Sequence, residues 1–215
     1  MKSNPFATRF VRPGQLNWMA DGDDSLPHLV DRFLNCYGAR AVIVGPHGSG
    51  KSTLLEHLVP LLGCVVWRQS AAAASGGDSA VAIVWLSLRR HERPFRQLVD
   101  SCQFWQRSGL LVIDGWEQLS TWQAIRVCWM TRRTGMGLLA TCHRDYWLLP
   151  TLTKTAATPE RVQQLVTERL VNAGCLSASE QRRFNELSLL TQLLQEEQGS
   201  VREVFMRLYD RFEDH

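Results

Sequence analysis

The segment Gly45-Pro46-His47-Gly48-Ser49-Gly50-Lys51-Ser52 constrains this chain more than any other stretch. It fits the pattern G-x-x-x-x-G-K-[S/T]. It stands between the apolar run Ala41-Val42-Ile43-Val44 and a leucine repeat at helical spacing, Leu54, Leu55, Leu58, Leu61 and Leu62. Glycines there let successive backbone N–H groups turn inward around an anion. The helix that follows adds the positive end of its dipole. Lys51 can reach the outer phosphates of a nucleotide, and the Ser52 hydroxyl can bind Mg²⁺. Gly45, Pro46, His47, Gly48, Ser49, Gly50, Lys51, Ser52 and Thr53 are therefore the candidate nucleotide-binding residues.

The rest of the chain reads as a body built for such a loop. A helix is expected over 25–37, with Ser25 as cap, Pro27 in its first turn and Gly38 at its end. The loop helix is expected from Lys51 to Leu62, ended by Gly63 and kinked or shortened by Pro60. Cys64-Val65-Val66-Trp67 reads as a short strand, and Ser70–Ala80 as a low-complexity loop. Strands are expected at Val81–Leu88, at Leu110–Ile113 running into Asp114, and at Gly137–Thr141. Helices are expected at Pro94–Trp105 and at Ser120–Thr134, the latter bearing Trp122, Ile125 and Trp129. Such alternation predicts a three-layer αβα fold, a parallel sheet covered by helices.

After Pro150 only helices are expected. Thr158-Pro159 opens the first. Ser177 with Glu180, and Ser200 with Glu203, form capping boxes for two more. The expected organisation is an N-terminal arm over 1–24, an αβα core over 25–157 and a helical subdomain over 158–215. Length permits this, since 215 residues exceed one typical domain.

A nucleotide site needs an acid at the end of a second buried strand to hold the Mg²⁺ shell. Asp114 is in that position. Glu117, three residues on, can polarise an attacking water. It can equally be a surface acid in a first turn, favoured there by the helix dipole. The strand at 137–141 ends in Thr141-Cys142-His143-Arg144, so Thr141 and His143 are placed to feel the outermost phosphate. The alternative for both is ordinary loop chemistry.

These residues together resemble the ASCE division of P-loop ATPases, in particular the AAA+ and STAND groups. Asp114-Gly115-Trp116-Glu117 resembles the Asp-Gly-Leu-Asp/Glu pattern of STAND and NACHT ATPases. Thr141 is placed like sensor 1 of AAA+ proteins. Gly199-Ser200-Val201-Arg202-Glu203 is similar to the Gly-x-x-Arg opening of the third AAA+ lid helix, which makes Arg202 the counterpart of sensor 2. Asn4-Pro5-Phe6 matches a tripeptide found before the loop in some bacterial AAA+ ATPases. His143 resembles the switch histidine of ABC ATPases, but no Leu-Ser-Gly-Gly-Gln signature accompanies it. The chain departs from the pattern in lacking an Asp-Glu pair at the end of the second strand. The resemblance implies a minimal ATPase core with a helical lid, using ATP and Mg²⁺, with slow or partner-stimulated hydrolysis. It makes Lys51, Asp114, Glu117, Thr141, His143 and Arg202 the catalytic set, with Ser52 and Asp114 on the metal. It also implies a sensor strand inserted between the loop strand and the Asp114 strand, which a small-molecule kinase would lack. An ATP-binding assembly module with little turnover is the alternative.

AAA+ rings complete each site with an arginine from a neighbour. Arg126, Arg132, Arg133 and Arg144 lie where such residues occur, although a solvated helix face explains any one of them. A protein partner or a homo-oligomer is thus expected. Nucleic acid is unsupported by charge, which is only +3 overall. Residues 158–215 carry seven basic and ten acidic residues, net −3, and the remainder carries +6. Arg89-Arg90-His91 and Arg93 follow a strand and could touch phosphate, a partner or only water. Thr153-Lys154-Thr155-Ala156 lacks the Asp of a guanine-specific motif, so ATP is expected. The eight tryptophans include Trp85, Trp105, Trp122 and Trp129, expected to pack in the core rather than to stack on bases. Six scattered cysteines without a CxxC pair read as reduced thiols. With no apolar leader and no span of about 20 apolar residues, a cytoplasmic location is expected.

Overall fold

The computed structural model describes residues 4–7, 24–73, 83–88, 96, 98, 100, 109–173 and 184–213, with backbone alone for 64–73. The described residues fall into two compact units. One is drawn from Ala20–Gly45 and Leu55–Lys154, the other from Met1–Met19, Pro46–Leu54 and Thr155–His215.

The first unit is built on a five-stranded parallel sheet. Its strands are β1 (Arg40–Val44), β2 (Ile83–Ser87), β3 (Leu110–Asp114), β4 (Gly137–Cys142) and β5 (Thr151–Lys154), in the order β2-β3-β4-β1-β5. β1 and β4 pair in strict register from Arg40 opposite Leu138 to Val44 opposite Cys142. β4 also pairs with β3, Leu110 opposite Gly137 through Ile113 opposite Ala140. The central strands are apolar without alternation because both sheet faces are covered. Val42, Val44, Leu111, Ile113, Leu138 and Ala140 bury on one face against Ala124, Val127 and Cys128 of α3 (Thr121–Thr134). Ala41, Ile43, Val112 and Leu139, of opposite parity on the same strands, are fully buried as well. The insertion of β4 between β1 and β3 is the strand order that the resemblance to the ASCE division implies.

Several expectations are corrected here. Cys64–Trp67 is not a strand, because α2 runs unbroken over Lys51–Ala73, through Pro60 and Gly63 and into the segment expected as a loop. A four-residue apolar run has no period of its own, so helix and strand cannot be separated on it. Pro60 is tolerated because it and Glu56 lie on the exposed side, where water can serve the carbonyl that proline cannot. The region after Pro150 is not helix alone. Thr151–Lys154 forms β5, an edge strand paired with β1 and marked by only one buried aliphatic, Leu152. Finally, Trp122 and Trp129 are not core: they are 81% and 56% exposed. α3 instead buries Ala124, Val127, Cys128 and Thr131. That stripe is small and partly polar, so the larger aromatics drew the helix's apolar face onto the wrong side. Trp85 is half-buried on β2, while Trp105 lies outside the described residues.

The strand expected over 81–88 is described as Ile83–Ser87, and a helix expected over 25–37 as α1 (Leu26–Asp31) continuing into a widened π turn over Arg32–Cys36. Of the helix expected over 94–105, Arg96, Leu98 and Asp100 are described and helical. The capping box at Ser177 and Glu180 and the basic residues at 89–93 lie outside the described residues. Among the described cysteines, Cys128 and Cys142 are buried and Cys36 is exposed, all free. Burial raises the Cys128 thiol above its usual range. No helix among the described residues is long and apolar enough to cross a membrane.

The second unit contains α4 (Pro159–Asn172), α5 (Leu187–Glu196) and α6 (Val201–Glu213). Thr158 caps α4 through the Arg161 amide, and Ser200 caps α6 through the Glu203 amide, as their sequences predict. Val162, Leu165, Val166, Leu170, Leu190, Leu193, Leu194, Val204, Phe205 and Leu208 form its core. Phe6 completes it. Its ring is 1% exposed and meets Phe184, Phe205 and Phe212 at centroid distances of 5.6, 5.9 and 6.1 Å. Asn4 fixes this entry: its Oδ1 accepts from the Phe6 amide, and its Nδ2 donates to Tyr209 O and to a Glu213 carboxylate oxygen. Asn4-Pro5-Phe6 is thus a wedge in the helical core. Phe6→Ala is expected to destabilise this unit by about 3–5 kcal/mol, read as a lowered denaturation midpoint with the helical signal lost first.

Candidate nucleotide site

The loop and the acid-bearing strand ends are each organised within their own unit. In the second unit, Gly48 and Gly50 take φ of +68° and +90°, values an L side chain rarely adopts, so the backbone turns as the sequence requires. Lys51 is buried, and its ammonium donates to the carbonyl of Pro46 at 2.6 Å, folding the side chain back over the loop. Ser49 is buried and shares a 2.6 Å hydrogen bond with Thr155. Ser52 and Thr53 are half-buried at the start of α2, while Pro46, His47 and Gly48 are exposed.

The loop also touches the start of α6. A methyl carbon at Gly48 would lie 2.3 Å from Ser200 Oγ and 3.1 Å from its Cα. Only glycine fits there, for space as well as for φ. Arg202 is two residues further on and exposed. The Ser200 and Thr155 contacts were not legible in sequence, where both residues read as ordinary cap and linker positions.

In the first unit, the carboxyl ends of β3 and β4 bring Asp114, Thr141, Glu117 and His143 together. Thr141 is fully buried, and its hydroxyl donates to Asp114 Oδ1 at 2.6 Å. The Thr141 hydroxyl oxygen in turn accepts from the Gly115 amide at 3.0 Å. Gly115 reaches that amide position with φ +97°, and a Cβ there would strike the Leu88 carbonyl oxygen at 2.7 Å. The positive φ turns the chain into a short 3₁₀ helix, Trp116–Gln118, that seats the buried Trp116 ring and carries Glu117. Trp116 packs edge-on to Tyr146 at 6.0 Å.

Glu117 is not directed away from this cluster. Its carboxylate meets His143 Nε2 at 3.1 Å, and His143 Nδ1 meets the Gly45 carbonyl at 3.2 Å. Gly45 follows β1 directly, and its own amide donates to Cys142 O. The residue that opens the phosphate loop is therefore tied by its amide and its carbonyl to the end of β4.

The donor set suits a magnesium nucleotide. Mg²⁺ takes one or two protein oxygens and keeps several waters, and each unit by itself offers one oxygen of that kind, the Asp114 carboxylate in the first and the Ser52 hydroxyl in the second. The glycine turns and the lysine ammonium suit phosphate. The arginines proposed to act on a neighbour's site, Arg126, Arg132, Arg133 and Arg144, are all exposed.

The sequence matches no family model and no curated protein. The fold does match solved structures. A threonine-to-valine variant of RuvB from Thermotoga maritima superposes with a TM-score of 0.51 at 14% identity, over 88% of this chain and 59% of that one. An alanine-to-serine variant of the same protein gives 0.51 at 16% identity, over 95% and 66%. The chain thus spans about three-fifths of the RuvB length. The shared feature is the fold: a parallel sheet flanked by helices, followed by a helical part, as in AAA+ ATPases.

Proposed function

We propose that this chain binds Mg-ATP through Gly45–Thr53 and hydrolyses it, acting as a nucleotide-driven switch or motor subunit on a protein partner or on further copies of itself. The observation that carries the reading is the Thr141–Asp114 hydrogen bond, made possible by β4 lying between β3 and the strand that leads into the loop. Backbone amides of the loop and Lys51 would hold the phosphates, and Arg202 would reach the outermost one. Mg²⁺ on Ser52 and Asp114 would offset charge on the phosphate oxygens. Glu117 would orient the water that attacks the γ-phosphorus while the bond to the β-phosphate oxygen breaks and ADP leaves. Thr141 and His143 would register the loss of the γ-phosphate, and the helices over 158–215 would move as a lid.

The His143–Glu117 contact favours a second reading, an ATP-holding assembly module with little turnover. A carboxylate engaged by an imidazole N–H is a weaker acceptor for a water proton. Three variants test the proposal, and Glu117→Gln separates the two readings. Lys51→Ala is expected to abolish Mg-ATP-dependent phosphate release in either case. Glu117→Gln is expected to lower turnover about a hundredfold or more while ATP binding persists; unchanged turnover would establish the assembly reading instead. His143→Ala frees Glu117 and is expected to raise basal turnover several-fold in a phosphate-release assay, whereas a fall would make His143 part of the reacting site.

A further inference from the structure

The phosphate loop is rich in glycine, with Gly45, Gly48 and Gly50 close together. Glycine loses more backbone freedom on ordering than any other residue. An anion cradle nevertheless needs successive N–H groups fixed in one direction. Ordering that happens on binding subtracts from affinity, whereas ordering completed during folding does not. A bond from the loop to a fixed neighbour therefore moves this cost from binding to folding.

Two bonds lie within the loop. The Ser49 amide donates to the Pro46 carbonyl at 3.4 Å, and the Lys51 ammonium donates to the same carbonyl at 2.6 Å. Neither ties the loop to another part of the chain. The Ser49 side chain does. Its hydroxyl shares a 2.6 Å hydrogen bond with Thr155, 106 positions away. Both residues are buried, 6% and 2% exposed. At that depth a hydroxyl stripped of its partner is costly. Ser49 is also the one residue in Gly48-Ser49-Gly50 with a side chain to hold. Its two neighbours keep φ of +68° and +90°, and Gly48 abuts Ser200, which leaves no room for a side chain there. Thr155 follows β5 directly, and β5 ends with Lys154 opposite Val44, the last residue of β1. Segments that leave neighbouring strands are thus joined again at the hydroxyl pair.

We propose that Thr155 is a positioning residue of the nucleotide site: by holding Ser49 it orders the loop's backbone amides before the phosphates of a nucleoside di- or triphosphate arrive. This role rests on Gly45–Thr53 being the nucleotide loop, and it assigns to affinity, rather than to hydrolysis, a residue outside every motif. A residue that acts through the loop serves the phosphates that the loop cradles, which ADP and ATP share. A residue that meets the outermost phosphate, the role proposed for Arg202, serves ATP alone. Thr155 therefore sets the affinity for both nucleotides to the same extent.

The test is calorimetric titration of the full chain with Mg-ADP and with Mg-ATP. Thr155→Val keeps the shape and removes the hydroxyl, and should weaken both nucleotides by the same factor, about three- to tenfold. Thr155→Ser keeps the hydroxyl and should bind within about twofold of wild type. Ser49→Ala removes the same bond from its other end and should reproduce the loss. The two substitutions together should cost no more than the worse of them alone. A role in stability alone would lower the thermal midpoint measured without nucleotide and leave both affinities unchanged, which would overturn the proposal. So would a loss confined to ATP, losses that multiply in the double variant, or a Thr155→Ser chain as weak as Thr155→Val. A wild-type chain that binds neither nucleotide sinks the nucleotide loop itself and this role with it. Wild-type binding with unchanged affinity in Thr155→Val and Ser49→Ala sinks only the role of Thr155.

Discussion

One buried hydroxyl organises the first unit. Thr141 Oγ1 donates to Asp114 and accepts from the Gly115 amide, which uses its single proton and a lone pair inside the protein. Such a group is costly to leave unsatisfied, by about 1–3 kcal/mol, so the ends of β3 and β4 are held in one relative position. That position depends on β4 lying beside β3, which is a matter of strand order. It also requires Gly115, since a Cβ there meets the Leu88 carbonyl. The acid, the glycine turn and the threonine are therefore one device contributed by three places in the chain.

The helical unit shows a different economy. Its helices are short and lean on a single inserted ring, Phe6, brought from the other end of the sequence and anchored by Asn4. The same unit includes the phosphate loop, where Ser200 closes against Gly48 and Thr155 bonds Ser49. The cap of α6 is thereby in contact with the loop that would wrap a phosphate. A side chain at Gly48 would strike Ser200, the residue that caps the first turn bearing Arg202.

The legible parts of the fold were those with a strong local signature. β1, β3 and β4 are short, mainly apolar runs, and the capped helices announce themselves through Ser120, Thr158 and Ser200. The expectation for the loop residues and for Asp114, Thr141 and Glu117 rested on their placement at or just past the ends of those strands. What was illegible had either no period or a partner far away in sequence. Cys64–Trp67 is too short to distinguish helix from strand. β5 has one buried aliphatic and owes its place to pairing with β1 and to Thr153 bonding Asp24. The face of α3 was misassigned because hydrophobicity alone predicts tryptophan inside, while Ala124, Val127 and Cys128 are what the close approach of helix to sheet accommodates. The Gly45–His143 and Gly48–Ser200 contacts span 98 and 152 positions, beyond any local pattern.

His143, which follows β4, lies within hydrogen-bond distance of the Gly45 carbonyl through Nδ1 and of the Glu117 carboxylate through Nε2, so one ring draws together the segments that follow β1, β3 and β4. A glutamate three residues after the strand, rather than directly following Asp114, is what gives the carboxylate room to sit on His143 in the first place.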